Sequence, residues 1–379
     1  MEIYVVEQGD TVNAIAAAYG IEAAQLILDN QLVEPYELAV GQALFIGIGE
    51  RQPTMTIAVS GYAYPFINQW VLQQTLPFLT ELPIFSYGFT LDGELIPPLW
   101  DDSWMIRLAL MNGTQPILTL TPFGPNGRFN NQLISSIVNS QAYMDNIIQN
   151  MLLLMQEKGY QGVDIDFEYI LASDRDAFTE FVRQVAEAMR ANGYHTSVAL
   201  APKTSADQPG LLYEGKDYRA LGQVADHVLL MTYEWGYTFG PPMAVAPINQ
   251  VRRVVEYALT EIPREKIDLG IPNYGYNWAL PYERGVTQAQ TIGNVQAVRI
   301  AVERGAAIQF DELAQSPYFR YRDVATGVEH EVWFEDVRSL QAKFDLIKEF
   351  QLRGCGYWQI MQWFRANWLL LQENFYIRK

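Results

Sequence analysis

Cysteine, histidine and basic residues are all scarce in this sequence of 379 residues. The single cysteine, Cys355, excludes an intrachain disulfide, and its apolar neighbours predict a small buried side chain rather than a nucleophile. The sequence has three histidines, His195, His227 and His330, which argues against a histidine-rich metal site. We therefore predict that the protein uses neither a metal ion nor a cofactor.

Positive charge is in the minority, and long apolar runs are missing. Lysine and arginine number 26 against 43 aspartates and glutamates, which gives a net charge of −17. Such a chain is repelled by nucleic-acid phosphates and by anionic lipid surfaces, so we expect no nucleic-acid partner. No apolar run approaches the ~20 residues that span a bilayer, and no charged and then apolar leader precedes the first domain. The sequence therefore predicts neither membrane insertion nor a recognisable signal peptide.

Apolar residues, in contrast, are plentiful and follow an α/β pattern. They make up 49% of the sequence, enough for a large core. From residue 54 to residue 379, short apolar strands alternate with helical segments, which favours a (β/α)8 TIM barrel. The eight candidate strands are residues 56–60, 84–87, 117–120, 163–168, 196–201, 228–232, 268–272 and 355–359. A doubly wound open sheet is the alternative, although no glycine-rich dinucleotide turn follows the first strand.

Two loops of this barrel can be assigned from the sequence. The long interval at about residues 282–332 predicts a small insertion between strands seven and eight. Residues 124–127 contain two glycines around a proline and an asparagine, and no lysine or helix start follows them. This segment therefore predicts a tight loop rather than a phosphate cradle.

The first 47 residues form a separate small unit, joined to the barrel by a linker at residues 48–53. A short strand at residues 4–6 is followed by the turn Gly9-Asp10-Thr11, which can also cap a helix. Two helical stretches and a closing strand complete a βααβ order.

The most informative segment of the barrel is the strand predicted at residues 163–168, where apolar and acidic residues alternate. A strand directs every second side chain to one face, so Asp164, Asp166 and Glu168 project together. Three carboxylates inside a barrel repel one another, which raises at least one pKa and keeps an acid protonated near neutral pH. Glu168 lies nearest the carboxyl end of the strand, where barrel enzymes bind their substrates.

Two non-catalytic explanations of the three acidic residues are less favoured. A solvated strand face is not expected in the fully enclosed strand of a barrel. A calcium loop would place glycines and asparagines between its ligands, whereas valine, isoleucine and phenylalanine stand there. We therefore favour a catalytic role.

The segment Gly162-Val163-Asp164-Ile165-Asp166-Phe167-Glu168 resembles the fourth-strand motif DGxDxDxE of family-18 glycoside hydrolases, with Gln161 in place of the opening aspartate. That position is the farthest from the chemistry, so we expect its change to affect packing or pKa tuning rather than activity. Residues 231–234, MTYE, resemble the sixth-strand MxYD of the family, and residues 354–358, GCGYW, resemble its eighth strand.

The family resemblance implies a role for each of these residues. Glu168 is expected to protonate the glycosidic oxygen, and the 2-acetamido group of the substrate is the nucleophile, so configuration is retained. Asp166 orients that group, Asp164 shares a proton with Asp166, and Tyr233 donates a hydrogen bond to the acetamido oxygen. Trp358 is expected to form the floor of a sugar subsite. Further substrate-binding candidates are Met231, Glu234, Asn273 and Tyr274.

The N-terminal unit resembles the LysM domain, which binds glycans that contain N-acetylglucosamine. The matching segments are YVVEQGDTVNAIAAAYGI, LILDNQL and VGQALFI. The candidate glycan-binding residues are Gly9, Asp10, Thr11 and Asn30. The alternative is a βααβ cap that only covers the larger domain.

Together, the LysM-like unit and the barrel motifs look most like the cortex-fragment N-acetylglucosaminidases of bacterial spores. The resemblance implies peptidoglycan, or another N-acetylglucosamine glycan, as partner, and a location in the spore cortex or coat or in the cell wall. A chitinase or an endo-N-acetylglucosaminidase is the alternative enzyme. A non-catalytic glycan-binding or spore-coat protein is the alternative of another class.

Overall fold

The computed structural model describes residues 1–124 and 127–379. The tight loop predicted at residues 124–127 includes residues 125 and 126, which lie outside the described residues.

Eight parallel strands close into a barrel, as predicted. They are Met55–Gly61, Glu81–Phe89, Gln115–Leu120, Gly162–Ile165, His195–Leu200, His227–Leu230, Ile267–Pro272 and Gly354–Trp358. Each strand pairs with the next in parallel. The eighth strand pairs with the first, where Gly354 lies opposite Ala58, so the sheet has no open edge there. The (β/α)8 barrel is therefore confirmed, and the open-sheet alternative is wrong.

Helices surround the barrel because their apolar faces cover the outward side chains of the strands. Helix Gln141–Lys158 buries Met144, Ile147, Met151 and Met155 on one stripe and ends at Gly159, whose φ of 91° suits glycine. The other barrel helices are Gln69–Thr75, Ser103–Met111, Asn131–Val138, Arg175–Ala191, Tyr218–Val224, Ile248–Glu261, Val337–Phe350 and Arg365–Asn374. The described residues also form short 3₁₀ turns at Leu76–Phe78, Ala172–Asp174 and Arg264–Lys266. Among the described residues, no helix has the length and apolarity needed to cross a membrane.

The fourth strand is shorter than predicted. It ends at Ile165, so Asp166 and Glu168 lie in the segment that follows it. The alternation of side chains nevertheless continues, because the amide of Asp166 still donates to the carbonyl of Leu120 on the third strand (3.0 Å). Phe167 remains fully buried on the helix side.

The insertion between strands seven and eight is an antiparallel sheet with one helix. In spatial order its strands are Gln290–Ile292, Gly275–Leu280, Glu329–Trp333, Ser316–Arg322 and Gln309–Asp311. Helix Asn294–Glu303 packs on this sheet through Ala297 and Ala301, against Phe319 and Val332. The sheet begins directly after strand seven, earlier in the chain than the interval from which the insertion was predicted. Among the described residues, short strand Leu95–Ile96 pairs with the end of strand two, and Phe375–Ile377 pairs with strand one.

The N-terminal unit has the βααβ order. Strands Glu2–Val5 and Ala43–Ile46 pair antiparallel, and helices Val12–Tyr19 and Ala23–Asp29 lie between them in the chain. The unit also docks on the larger domain. The Phe45 side chain joins the core of the barrel, and the amide of Ile308 in the insertion donates to the carbonyl of Val40 (2.8 Å). Arg365 forms an ion pair with Asp29 (2.9 Å).

Candidate active site

The acidic series of strand four leads from the barrel interior to a cleft at the carboxyl ends of the strands. Asp164 is fully buried, Asp166 is 7% exposed, and Glu168 is partly exposed. The cleft has a volume of about 550 Å³. Its lining residues are Tyr62, Asp166, Glu168, Tyr169, Ala199, Leu212, Leu229, Met231, Tyr233, Glu234, Tyr237 and Trp358. The structure therefore brings together Asp166, Glu168, Met231, Tyr233, Glu234 and Trp358, with Asp164 beneath them.

Asp164 is held by hydrogen bonds from two neighbouring strands. The Tyr62 hydroxyl donates to its Oδ2 (2.8 Å), and the Ser197 hydroxyl donates to its Oδ1 (2.7 Å). Burial raises the pKa of Asp164 to about 6, although both hydrogen bonds act in the opposite direction. Asp164 can thus hold or release a proton near neutral pH.

The Asp166 carboxylate is buried among the residues that line the cleft. Its Oδ1 is buried and has no hydrogen-bond partner among the residues that the structure describes. Burial, and then the charges of Glu168 and Asp164, raise the pKa of Asp166 well above its usual value, against the opposing effect of Lys216. An unpaired acceptor at the floor of a cleft is available to a donor on a ligand.

Glu168 has the environment of a proton donor. Burial raises its pKa, and the nearby Lys216 ammonium counteracts part of that effect. Lys216 was not predicted from the sequence. Its side chain is almost fully buried and donates to the carbonyls of Glu168 and Leu212, and burial lowers its pKa to about 8. This lysine fixes the backbone that carries Glu168.

Tyr233 follows strand six and faces the same cleft. Burial, and then the charges of Asp166 and Glu168, raise its pKa well above the ordinary value, so it remains a neutral hydroxyl donor. Gly270 on strand seven makes room for its ring, because a Cβ there would lie 2.8 Å from Tyr233 Cε1. The tyrosine is therefore positioned by strands six and seven together.

Glu234, directly after Tyr233, is fixed from the insertion. It has a φ of 69°, and its Oε1 accepts hydrogen bonds from Tyr274 and from Tyr276 (2.9 Å). Burial raises the pKa of Glu234, while both tyrosine hydroxyls lower it. Tyr274 thus supports a residue of the cleft and lies outside the lining.

Trp358 ends strand eight and lies within a group of aromatic rings. Its ring centroid is 5.7 Å from that of Tyr62 and 5.0 Å from that of Phe85. Asn273, in contrast, lies outside the cleft lining. Its amide donates to the carbonyls of Gln359 (3.0 Å) and Gln362 (3.1 Å), so it holds the loop after strand eight.

The candidate glycan-binding residues of the N-terminal unit also have local structural partners. Gly9 has a φ of 92°, and Asp10 accepts from the Tyr4 hydroxyl and from the Glu7 amide, both at 2.7 Å. Thr11 caps the first helix. Gly9, Asp10 and Thr11 line a depression of about 750 Å³ between the unit and the insertion.

Asn30 lies apart from this depression. Its side chain bonds to the carbonyls of Leu26 (3.0 Å) and Phe45 (2.8 Å) and to the amide of Phe45 (2.7 Å). It therefore joins the second helix to the closing strand.

The fold and the cleft agree with the comparison to known families. The family model for glycosyl hydrolases family 18 matches residues 124–362. The chain belongs to this family. It is a glycoside hydrolase, as the acidic motif predicted, and the LysM domain model matches residues 4–47.

Relatives with spore cortex-lytic names align with the whole chain. The cortical fragment-lytic enzyme of Bacillus subtilis (strain 168) is 40% identical, over 100% of this chain and 99% of that protein. The crystal structure of the Bacillus megaterium spore cortex-lytic enzyme SleL matches with a TM-score of 0.94 at 34% identity, over 100% of this chain and 98% of that one. A chitinase from Chromobacterium violaceum, at 23% identity and a TM-score of 0.77, shares the fold.

Proposed function

We propose that this glycoside hydrolase cleaves N-acetylglucosamine linkages in spore cortex peptidoglycan or its fragments, by substrate-assisted catalysis with retention of configuration. The observation that carries the proposal is the placement of Asp166, Glu168 and Tyr233 around one cleft, with Asp164 beneath it. The cortical fragment-lytic relatives, which align end to end with this chain, support the choice of substrate.

Glu168 is the proton donor in this mechanism. Burial favours its protonated form, so it can transfer a proton to the glycosidic oxygen as the bond to the anomeric carbon breaks. The hydrogen bond from Lys216 to the Glu168 carbonyl holds the carboxyl group at the cleft. After the leaving group departs, the ionised Glu168 can take a proton from the attacking water.

The remaining residues act on the acetamido group of the substrate. The acetamido oxygen attacks the anomeric carbon, and a positive oxazolinium ion forms. The unpaired Oδ1 of Asp166 is suited to accept the acetamide N–H and to stabilise that charge. The Tyr233 hydroxyl donates a hydrogen bond to the acetamido oxygen and keeps its proton. Asp164, with its pKa near 6, shares a proton with Asp166 so that the pair titrates as a unit.

The LysM domain supplies a second glycan contact in this proposal. Gly9, Asp10 and Thr11 line the depression beside the insertion, where a peptidoglycan strand containing N-acetylglucosamine would bind. Asn30 keeps the unit folded. We place the enzyme at the spore cortex or coat, or at the cell wall, since its relatives carry cortex-lytic names.

Product analysis tests the proposal. The full-length protein and the Glu168→Gln variant are incubated with spore cortex fragments, intact peptidoglycan and chitin oligomers, and the products are identified by mass spectrometry. We expect cortex fragments to yield products with a reducing N-acetylglucosamine end. We expect Glu168→Gln to lower the rate by about 10²–10⁴-fold, the usual contribution of a general acid.

An exposed glutamate provides the matched control. Glu157 lies on the outer face of helix Gln141–Lys158, so Glu157→Gln should leave the rate unchanged. Cleavage confined to chitin would contradict the proposed substrate. Substantial turnover by a folded Glu168→Gln variant would contradict the proposed acid.

A further inference from the structure

A second cluster of titratable groups lies at the opposite end of the barrel from the cleft. Glu81, His195 and His227 are the first residues of strands two, five and six. Asp268 is the second residue of strand seven, and Arg353 directly precedes strand eight. Parallel strands meet with their amino ends at one edge, so these five side chains converge beneath the barrel.

The two imidazoles share one carboxylate. His195 Nε2 lies 3.7 Å from Glu81 Oε1, and His227 Nε2 lies 3.6 Å from Glu81 Oε2. One ligand atom from each of these residues can be chosen so that all three lie within 4.8 Å of one another. The rings themselves have centroids 5.6 Å apart. The three side chains therefore surround a single point.

Both ring nitrogens at this point are buried and unsatisfied. Among the residues that the structure describes, neither His195 Nε2 nor His227 Nε2 has a hydrogen-bond partner. The His227 side chain is only 7% exposed. A buried imidazole nitrogen without a hydrogen-bond partner lowers the stability of the fold. Two such nitrogens that converge on one carboxylate therefore indicate a ligand that they share.

The surrounding residues orient the cluster. Asp268 Oδ2 lies 3.0 Å from His227 Nδ1, which places a second carboxylate beside the other ring nitrogen of this histidine. Arg353 contacts Glu81 (2.6 Å) and Asp268 (2.5 Å), which holds both carboxylates in place.

We propose that Glu81, His195 and His227 bind a divalent transition-metal ion of the Zn²⁺ class. Two imidazoles and one carboxylate form a ligand set that Zn²⁺ accepts, with a water molecule in the fourth position. A tetrahedral ion with bonds of about 2.0 Å holds its ligand atoms about 3.3 Å apart. Here one ligand atom from each side chain lies within 4.8 Å of the other two, so an ion would draw the three closer together. The ion is structural, because it ties together strands two, five and six far from the cleft.

Gly162 makes this arrangement sterically possible. A Cβ at Gly162 would lie 2.7 Å from His195 Cε1, closer than real Cβ contacts allow. The glycine that opens the strand-four motif therefore provides the space in which His195 turns towards Glu81.

The test measures the ion bound to the untagged full-length protein. The protein is incubated with Zn²⁺ and desalted, and zinc per chain is determined by mass spectrometry of the elements. We expect about one Zn²⁺ per chain and a higher melting temperature than after treatment with EDTA. His195→Gln and His227→Gln should lose the ion. His330→Gln removes the one histidine outside the cluster and should retain it.

Two further measurements keep the outcome decisive. Circular dichroism establishes whether each variant is folded, and Co²⁺ loaded into the wild-type protein reports tetrahedral nitrogen and oxygen ligands through its visible absorption. Retention of less than about a tenth of an ion per chain would overturn the proposal and leave a cluster of ion pairs only. Equal retention by folded His195→Gln or His227→Gln would overturn it as well.

Discussion

Replacement of Phe167 by alanine links the stability of the barrel to the position of the proposed catalytic carboxylates. Phe167 stands between Asp166 and Glu168 but points the other way, into the helix layer. Its ring is fully buried, with centroids 5.5 Å from Phe89, 5.7 Å from Phe178 and 5.8 Å from Phe181. Because the strand ends at Ile165, this ring anchors the segment that carries both acids.

The magnitude follows from the size of the cavity that alanine leaves. Removal of a fully buried phenylalanine side chain costs about 3–5 kcal/mol, including the loss of its aromatic contacts. An unfolding entropy of about 2.1 cal/mol/K per residue gives about 0.8 kcal/mol/K for 379 residues, so the melting temperature should fall by about 4–6 °C. At temperatures where the variant is still folded, we expect its kcat to be about 10²-fold lower than that of the wild type. An error of about 1 Å in the position of a catalytic group has an effect of that size.

Urea unfolding and steady-state kinetics on cortex fragments measure the two effects separately. Leu153→Ala is the control, because Leu153 is 55% exposed and its loss should change stability by no more than about 0.5 kcal/mol. Phe167→Leu should recover most of the activity. A Phe167→Ala variant that loses less than about 1 kcal/mol, or that keeps wild-type kcat, would refute the anchoring role.

Three other experiments test separate features. Burial raises the pKa of Asp164 from its usual 3.8 to about 6, so ionisation of Asp164 destabilises the fold as pH rises through that range. In urea unfolding, the free energy of unfolding of Asp164→Asn should therefore rise relative to wild type by up to about 3 kcal/mol between pH 4 and pH 8. A difference in unfolding free energy that does not change with pH would contradict this. Lys343 and Glu335 form a fully buried ion pair (2.8 Å), so Lys343→Met should cost about 3–5 kcal/mol in urea unfolding, and adding Glu335→Leu should recover most of it. Asn30→Ala should cost about 1–3 kcal/mol, measured in the same way, and a loss below about 0.5 kcal/mol would show that its three hydrogen bonds contribute little.

Local patterns predicted the barrel and the acidic series well. The alternation of side chains in a strand depends only on neighbouring residues, so the common direction of Asp164, Asp166 and Glu168 could be predicted even though the strand ends early. The eight strands could also be predicted from neighbouring residues alone, because buried parallel strands are apolar almost throughout.

Residues brought to the site from distant parts of the chain could not be predicted in this way. Lys216 contacts Glu168 across 48 positions, and no local pattern marks a lysine as buried. Asn273 was expected in a subsite because it follows strand seven, but the loop after strand eight, 86 positions away, takes up its amide. The small number of histidines in the sequence argued against a metal site. The fold nevertheless places two of the three side by side, which their number alone could not show.

The docking of the LysM unit has a mechanical consequence. Because Phe45 is buried in the barrel core and Val40 bonds to the insertion, residues 48–53 do not act as a flexible tether. In a tethered enzyme, the linker sets the effective concentration of the cutting site around the point of attachment. If the depression lined by Gly9, Asp10 and Thr11 binds glycan, as proposed, these docking contacts set the spacing along the polymer at which a strand held there would reach the cleft. The cleaved linkage would then lie a fixed number of sugars from the sugar bound by the LysM unit.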